Sequence, residues 1–229
     1  DGPVIQHASE RALARGVGLA AILGWVGEFR RRDQATPIVL MGYMNPVEIH
    51  GAARCAAEAV AAGVDGVLLV DCPVEEAAAA APLRDAGLQQ ILLAAPTTGE
   101  ARLARIGAAA AGFLYYVSFA GVTGADRIRL DEVRAQVQRL RQSVRVPVAV
   151  GFGIRDAASA QAIGAFADAV VIGSALVAQL AGAGSEQEIR ARAHDFPAPI
   201  RAALDAQDRA RRGRVARRGE ARPRHAARV

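Results

Sequence analysis

Six short apolar segments recur along the chain and constrain its fold more than any other feature. Each is nearly continuous in apolar residues, and they begin at Pro37, Val64, Gln89, Gly112, Val146 and Ala167. Strands that are buried on both faces have this composition. The segments start roughly 20–35 residues apart, which is the size of one strand followed by one helix.

Helix-forming stretches fill the intervals between these segments. Residues 47–62 are Ala-rich, and residues 73–86 begin with a Pro and carry acidic residues in the first turn. Each stretch ends at a Gly, and Pro at the start with Gly past the end is the arrangement expected of helices. Residues 130–145 and 155–165 are predicted to be helical as well. Strands that alternate with helices, without hairpin turns, predict a parallel sheet.

Two architectures fit this alternation, an open doubly wound sheet and an eight-stranded (β/α)8 barrel, and the glycines favour the barrel. Gly151 and Gly153 end the fifth segment, and Gly173 with Ser174 ends the sixth, each before a predicted helix. Free N–H groups and the helix dipole at such ends bind phosphate, and Gly lets the backbone approach it. In (β/α)8 barrels this site commonly follows strands 7 and 8. Tight turns without a ligand are the alternative.

If the last two segments are strands 7 and 8, the six segments are strands 3–8 of the barrel. Strands 1 and 2 would then precede Asp1. At about 30 residues for each strand and helix, we expect roughly 60 residues ahead of this chain.

The positive net charge of +5 belongs to the carboxyl-terminal end. Residues 205–229 contain nine Arg and three acidic residues, so the preceding 204 residues are close to neutral. Many charges with few large apolar residues are typical of disorder. We therefore expect an incomplete barrel domain over residues 1–204 and a basic, disordered tail over residues 205–229. Nucleic-acid binding by the tail is disfavoured, since no aromatic residue is interleaved with the Arg.

Other features narrow the class of protein. No run of about 18 apolar residues occurs, as a membrane-spanning helix would need, and the start of the chain lacks the pattern of a signal peptide. Cys55 and Cys72 do not have the spacing of metal ligands. We expect a cytoplasmic protein with reduced thiols and no metal site.

Five segments, in their order along the chain, resemble the tryptophan synthase alpha chain family. They are PIVLMGYMNP, GVDGVLLVDCPVEE, APTTGEARLARI, FLYYVSFAGVTGA and VGFGI with VVIGSALV. The opening DGPVIQHASERAL resembles the segment just after the second strand of that family. The resemblance implies a (β/α)8 barrel that cleaves indole-3-glycerol phosphate to indole and glyceraldehyde 3-phosphate in tryptophan biosynthesis. It also implies an α2β2 complex with a beta chain that carries pyridoxal phosphate, whereas the alpha chain needs no cofactor.

The implied reaction is a retro-aldol cleavage. C3 of the indole ring must be protonated and a hydroxyl proton of the glycerol chain must be removed, so carboxylates are expected on two sides of the substrate. The resemblance implies that Asp1 is the catalytic carboxylate near the indole nitrogen. It places the principal acid–base Glu of the family on strand 2, ahead of Asp1, so this chain by itself is expected to lack that group.

The resemblance assigns further residues by their positions. Substrate contacts are implied for Ile5, Tyr43, Tyr115, Thr123 and Phe152, phosphate contacts for Gly124, Gly153, Gly173 and Ser174, and contact or coupling to the beta chain for Asn45, Asp71 and Pro73. Simpler interpretations stay open. Tyr43 and Asn45 could be rim residues, Asp71 could cap the next helix, and Tyr115 could be a core tyrosine.

The Gly-rich segment from Ser118 to Glu132 resembles the mobile lid of the family, whose closure excludes water. An inert surface loop is the alternative. Two other functions also stay open. One is a catalytically inactive alpha-chain fragment that only binds a beta chain, and the other is another phosphate-binding barrel isomerase. Release of indole would distinguish the lyase from both.

Overall fold

The computed structural model describes residues 2–118, 130–151 and 153–220, with side chains described as far as Arg212. The strands are β1 (Val39–Gly42), β2 (Gly66–Leu69), β3 (Gln89–Gln90), β4 (Leu92–Ala94), β5 (Leu114–Val117), β6 (Val148–Gly151) and β7 (Ala169–Val171). Each of the six predicted segments contains a strand, and the third segment contains two. The strand positions predicted from the apolar runs are therefore confirmed.

The strands pair in chain order within two parallel sheets, β1-β2-β3 and β4-β5-β6-β7. The chain changes its partner at Ile91. The N–H of Ile91 still donates to the carbonyl of Val67 at 2.8 Å, whereas Leu92–Ala94 pair with β5. The third segment thus joins the two sheets, and β2 and β4 separate beyond this residue.

The helices are α1 (Pro3–Leu13), α2 (Leu19–Arg30), α3 (Met44–His50), α4 (Ala52–Ala62), α5 (Ala81–Asp85), α6 (Glu100–Ala109), α7 (Leu130–Ser143), α8 (Ala157–Gly164), α9 (Ser174–Leu180), α10 (Glu186–Asp195) and α11 (Pro197–Glu220). The helices predicted over 130–145 and 155–165 are confirmed as α7 and α8. A 3₁₀ turn covers Val74–Glu76. Among the described residues, no helix combines the length and the apolarity that a membrane span requires.

Two predicted helices differ in the structure. The stretch 47–62 is divided at Gly51, whose φ of 87° lies in a region that Gly adopts readily and other residues do not. The helix predicted over 73–86 is wrong, because the chain forms the 3₁₀ turn and then the short α5. Pro82 lies in the first turn of α5. It has no N–H, and its ring would clash with the carbonyl of Ala78 in a continuous helix.

Helix α11 runs through the domain boundary predicted at residue 204. Residues 205–220 are helical, which differs from the disorder predicted for this part, and residues 221–229 lie outside the described residues. Contacts with α8 hold the helix. Nε2 of Gln207 donates to the carbonyl of Gln161 at 3.0 Å, and a Cβ on Gly164 would lie 2.8 Å from Cδ2 of Leu204. The division into a barrel domain and a separate tail stays a prediction.

Side chains alternate between the two faces of the strands. One set packs against the helices in two clusters. The cluster around β1–β3 consists of Leu, Val, Ala and Cys side chains such as Cys55 and Ala59, whereas the cluster around β4–β7 also contains Ile and aromatic side chains and includes Leu114, Tyr116 and Ile163. The other set faces the inside of the barrel and is called the inward-facing set. Its members are Val39, Met41, Gly66, Leu68, Gln89, Leu93, Tyr115, Val117, Ala149, Gly151, Ala169 and Val171.

An Arg–Asp pair ties the amino ends of β1 and β2 together and is called the first clamp. The guanidinium of Arg30, at the end of α2, donates to the carboxylate of Asp65 at 2.7 Å, to the carbonyl of Gly63 at 2.8 Å and to that of Thr36 at 2.7 Å. The same carboxylate accepts from the N–H of Ile38 at 2.6 Å. One residue pair therefore fixes a helix end and two strand starts.

The second clamp repeats this arrangement at β6 and β7. Arg141, near the end of α7, donates to the carboxylate of Asp168 at 2.6 Å, which accepts from the N–H of Val148 at 2.9 Å. In both clamps the Asp directly precedes the second strand of the pair. Both clamps lie at the amino ends of the strands, opposite the edge where the predicted site residues lie.

Candidate active site

The carboxyl ends of the parallel strands bring most of the predicted site residues to one edge. Because the strands are parallel, the loops that follow them share that edge. The residues concerned are Tyr43 and Asn45 after β1, Asp71 and Pro73 after β2, Tyr115 in β5, Gly153 after β6, and Gly173 with Ser174 after β7. The structure therefore places residues from five strands around one opening.

A cavity of ≈ 400 Å³ lies at this edge, between the ends of β2, β4 and β5. Apolar side chains form most of its wall, and Val70, Leu93 and Val117 line it from the inner side of the strands. Thr98 and Arg102 contribute polar groups. A volume of this order, with an apolar wall and a few polar groups, is typical of small-molecule sites.

Tyr115 lies directly against Gly151 across the β5–β6 pair. A Cβ on Gly151 would lie 2.1 Å from the phenol oxygen of Tyr115, so a larger residue at 151 would displace the ring. Burial raises the pKa of Tyr115. The phenol therefore stays protonated at neutral pH and can donate a hydrogen bond. Gly151 is needed for this contact, whereas the sequence had suggested that it binds phosphate.

The two glycine-bearing strand ends are aligned by the sheet register. Gly151 pairs with Val171, so Gly153 and Gly173 each follow two residues beyond a paired position. Gly153 has a φ of +74°, and Gly173 begins α9 with Ser174 as the first helical residue. No heavy atom lies within 4 Å of a Cβ built on Gly173. The start of this helix thus has free space beside Gly173, and a helix start with unpaired N–H groups is a suitable place for an anion.

Asp71 caps a helix, but not the one that follows it. Its carboxylate accepts from the N–H of Met44 at 2.8 Å, at the first residue of α3. The bond joins the loop after β1 to the end of β2 and so fixes the position of Tyr43 and Asn45. Both of these side chains are exposed at the rim. Pro73 starts the 3₁₀ turn and contributes to the wall of the cavity.

Four predicted site residues, Asp1, Thr123, Gly124 and Phe152, lie outside the described residues, as does most of the predicted lid. Ile5 is half-buried on α1. This helix contacts α9. Helix α9 starts at the carboxyl ends of β6 and β7, where Gly153, Gly173 and Ser174 are predicted to bind phosphate, and this place is called the phosphate edge. Helix α1 is therefore placed beside α9, the helix that follows β7.

The inward-facing set contains no carboxylate, so the described strands supply no acid or base of that kind inside the barrel. Burial raises the pKa of both thiols, Cys55 and Cys72, so neither is a thiolate nucleophile at neutral pH. Within the described parts of the chain, no group of three or more His, Cys, Asp or Glu residues could hold a metal ion.

Sequence reasoning missed the apolar wall of the cavity. Leu93 and Val117 belong to strands that are apolar at every position, so no alternation distinguishes the inner side of the barrel from the side that faces the helices. Pairing registers, which the sequence does not reveal, decide which residues face inward.

Comparison with known proteins identifies the family. A sequence model described as "Tryptophan synthase alpha chain" matches residues 1–203. The chain belongs to the tryptophan synthase alpha chain family. Among curated relatives, the tryptophan synthase alpha chain of Xylella fastidiosa (strain 9a5c) is 58% identical over 207 residues, which cover 90% of this chain and 77% of the relative. That of Xanthomonas euvesicatoria pv. vesicatoria (strain 85-10) is 59% identical over 208 residues, with the same coverage.

Solved structures agree with this assignment. The tryptophan synthase alpha chain from Legionella pneumophila subsp. pneumophila has a TM-score of 0.81 at 39% identity, covering 90% of this chain and 76% of that one. A structure of the tryptophan synthase a2b2 complex from Pyrococcus furiosus gives a TM-score of 0.76 at 38% identity, covering 86% and 80%. The described strands are thus part of the (β/α)8 barrel of the tryptophan synthase alpha chain family, and the chain spans about three quarters of the length of these relatives.

Proposed function

We propose that this chain cleaves indole-3-glycerol phosphate to indole and glyceraldehyde 3-phosphate, as the alpha subunit of tryptophan synthase. The observation that carries the proposal is the family match over residues 1–203, which includes every residue of the candidate site. The geometry supports it, since an apolar cavity and an open phosphate edge lie at the same ends of the strands. A cytoplasmic location belongs to the same proposal.

The apolar cavity takes the indole ring. Val70, Leu93 and Val117 provide the apolar wall, and Tyr115 reaches the substrate from β5 as a neutral hydrogen-bond donor. A ring in contact with these side chains is removed from water, which favours its binding. Ile5, Tyr43, Thr123 and Phe152 complete the proposed set of substrate contacts.

The phosphate is held at the ends of β6 and β7. Gly153, Gly173 and Ser174 present backbone N–H groups there, and the start of α9 adds the positive end of its dipole. Gly124 is proposed to add a further N–H from the lid. Bound at this edge, the phosphate fixes the glycerol chain between the cavity and α1.

Proton transfer requires carboxylates that the inward-facing set does not contain. We assign Asp1 the role of stabilising the indole N–H as positive charge develops on the ring. Asp1 lies two residues ahead of α1, and α1 contacts α9, the helix that begins with the proposed phosphate contacts. The removal of the glycerol hydroxyl proton needs a second acid–base group, which the family resemblance places ahead of Asp1.

The rim residues Asn45, Asp71 and Pro73 are proposed to contact the beta chain or to couple the two subunits. The hydrogen bond from Met44 to Asp71 supports a coupling role, since it joins two loops of the same rim. Pyridoxal phosphate belongs to the beta chain in this scheme. The chemistry assigned to the alpha chain uses only its own side chains and backbone.

Replacement of Gly173 with Val tests the proposal. A Cβ at this position meets nothing within 4 Å, so the new side chain has room. The backbone there, at φ −119° and ψ −84°, lies outside the regions that β-branched residues favour, so urea unfolding of the variant must accompany the assay. The side chain fills the space assigned to phosphate. We expect KM for indole-3-glycerol phosphate and the inhibition constant of glycerol 3-phosphate to rise about tenfold or more, as for loss of a charge-assisted hydrogen bond. Indole release with a beta chain present is the assay.

Gly99→Val is the matched control. Gly99 also starts a helix, α6, and a Cβ there also meets nothing within 4 Å, but it follows β4 and not the phosphate edge. It should leave glycerol 3-phosphate inhibition unchanged. Equal effects of the two variants would contradict the phosphate assignment. Stimulation of a beta chain without any indole release would instead favour a binding subunit, and turnover of another sugar phosphate would favour a barrel isomerase.

A further inference from the structure

The wall of the candidate cavity is assembled from both sides of the point where the two sheets separate. Pro73 and Val74 follow β2, whereas Arg102 belongs to α6, which follows β4. Within the described parts of the chain, the N–H of Ile91 makes the last backbone hydrogen bond between the two sides. Beyond it the cavity lies in a gap of the barrel wall, so other contacts must keep its two sides at a fixed separation.

A cluster of charged side chains spans this gap. Glu75 lies in the 3₁₀ turn after β2, and its carboxylate accepts a hydrogen bond from Nε of Arg102 at 2.9 Å. Nη1 of Arg105 lies 3.6 Å from the same carboxylate oxygen. Both Arg side chains belong to α6. We call these three residues the rim cluster.

The charges within the rim cluster are complementary. Hydrogen bonds from its own backbone N–H and from Arg102 hold the pKa of Glu75 below its usual range, so the carboxylate is charged at neutral pH. The one acidic residue of α6 is Glu100, and Arg139 on α7 donates to its carboxylate at 2.7 Å. Among the described ion pairs, Glu75 is the acidic partner of both Arg102 and Arg105.

An apolar contact accompanies these ion pairs. Val74 directly precedes Glu75, and although it follows β2 it packs against the core cluster around β4–β7. Ile106 of that cluster, on α6, also lines the cavity. The turn after β2 therefore rests on the other sheet's core at the wall of the cavity.

We propose that Glu75 is a positioning residue that fixes the shape of the cavity for the indole ring. The inference rests on the function proposed above. By pairing with Arg102 and Arg105, Glu75 keeps Pro73 and Val74 close to α6, and a cavity of fixed width keeps its apolar wall in contact with the ring. A wider cavity would leave part of the ring in contact with water, which weakens binding. The phosphate edge lies at other strands, so phosphate binding should not depend on Glu75.

Reversal of the charge at Glu75 tests this inference. In Glu75→Lys the new ammonium faces two Arg side chains, which repel the turn from α6. Equilibrium dialysis of the full chain with indole, and separately with glycerol 3-phosphate, measures the two affinities without turnover. We expect the Kd of indole to rise about fivefold, as for loss of a partly exposed ion pair. The Kd of glycerol 3-phosphate should not change. Glu75→Asp keeps the carboxylate and should retain the indole affinity of the unmodified chain.

Glu76→Lys is the matched control, since it makes the same charge change at the next residue of the same turn. Glu76 is exposed, does not line the cavity and takes part in none of the described ion pairs, so indole binding should stay unchanged. Equal losses in the two Lys variants would overturn the inference, because net charge would then explain them.

The two ligands distinguish positioning from a general loss of structure. An equal rise in both Kd values in Glu75→Lys would indicate damage to the whole fold and would overturn the inference. An unchanged Kd of indole in that variant would overturn it as well, while the proposed function would stand. Failure of the unmodified chain to bind either ligand would instead refute the proposed function, and this inference with it.

Discussion

The two sheets of this barrel are built on the same plan but are packed to different degrees. In the amino-terminal half, residues 19–90, the core consists of Leu, Val, Ala and Cys side chains, and Met41 in the edge strand is 55% exposed. In the carboxyl-terminal half, residues 92–204, Ile and aromatic side chains join Leu, Val and Ala in a larger core. The central strands β2 and β6 are buried along their whole length in both halves. Buried apolar area stabilises a fold in proportion to its size. The carboxyl-terminal half should therefore contribute more of the stability.

The clamps show the opposite trend. The side chain of Arg30 in the first clamp is 12% exposed and reaches three acceptors on separate segments, whereas that of Arg141 in the second clamp is 37% exposed. A buried, hydrogen-bonded guanidinium stabilises more than a solvated one. The stability of the half with the smaller core thus depends more on polar contacts. Two halves of one barrel can therefore be stabilised by different interactions.

The largest expected effect is the loss of stability when a core Leu is truncated, and it should differ between the two halves. Leu114→Ala, in β5, removes a side chain that is 0% exposed, and should lower the free energy of unfolding by about 3–5 kcal/mol. Leu40→Ala, the matched change in β1, removes a half-buried side chain and should cost about 1–2 kcal/mol. Urea unfolding of the purified chain measures both. Equal losses would remove the distinction between the halves.

The next largest effect is expected at the clamps, where the amino-terminal half should lose more stability than the carboxyl-terminal half. Arg30→Ala leaves the carbonyls of Gly63 and Thr36 and the carboxylate of Asp65 without their donor, and should cost about 2–3 kcal/mol. Arg141→Ala should cost about 0.5–1 kcal/mol, as for a partly exposed ion pair. High salt should weaken the second clamp more than the first. A larger loss in Arg141→Ala than in Arg30→Ala would contradict this ranking.

The smallest effect concerns helix starts. Helix α8, in the carboxyl-terminal half, has a capping box in which Asp156 accepts from the N–H of Ser159 at 2.8 Å, whereas α2 and α4 begin at Gly without a side-chain cap. Asp156→Ala should cost about 1 kcal/mol. Helix content, followed by circular dichroism during urea unfolding, measures the loss.

The cap also predicts a dependence on pH. Hydrogen bonds from Ser159 hold the pKa of Asp156 below its usual range. The stabilisation is present above the unfolded value of about 3.9 and is lost as pH falls through the lower folded value. Asp156→Asn keeps an acceptor but cannot titrate, so its stability should not change in this window. An unchanged acid response in that variant would exclude Asp156 as the source.

The sequence predicted the positions of the strands well, because long apolar runs bounded by Gly and Pro have few other interpretations. It did not predict the division at Ile91, since QQILLAAP is apolar on both sides of the break and only the pairing partner changes there. The predicted helix over 73–86 was wrong because the Ala run suggested continuity, whereas Pro82 has no N–H for a helix interior.

At the site, the sequence predicted that Gly153 and Gly173 lie at strand ends, and it predicted which loops surround the opening of the barrel. It could not predict that Asp71 caps the helix after the preceding strand, or that Gly151 makes room for Tyr115, because both depend on residues far apart in the chain. The roles of Asp1, Thr123, Gly124 and Phe152 stay predictions. The helical extension of α11 was missed because composition alone favours disorder for an Arg-rich segment.

The change of partner at Ile91 also has a mechanical consequence. The backbone ladder between β2 and β3 is short, and its paired positions are Gly66 with Gln89 and Val67 with Gln90. Every other neighbouring pair of strands shares a longer ladder. If β1 and β7 were pulled apart, the load would concentrate on this short ladder, and β1 with β2 would separate from the segment that contains β3 and β4 before the longer ladders broke.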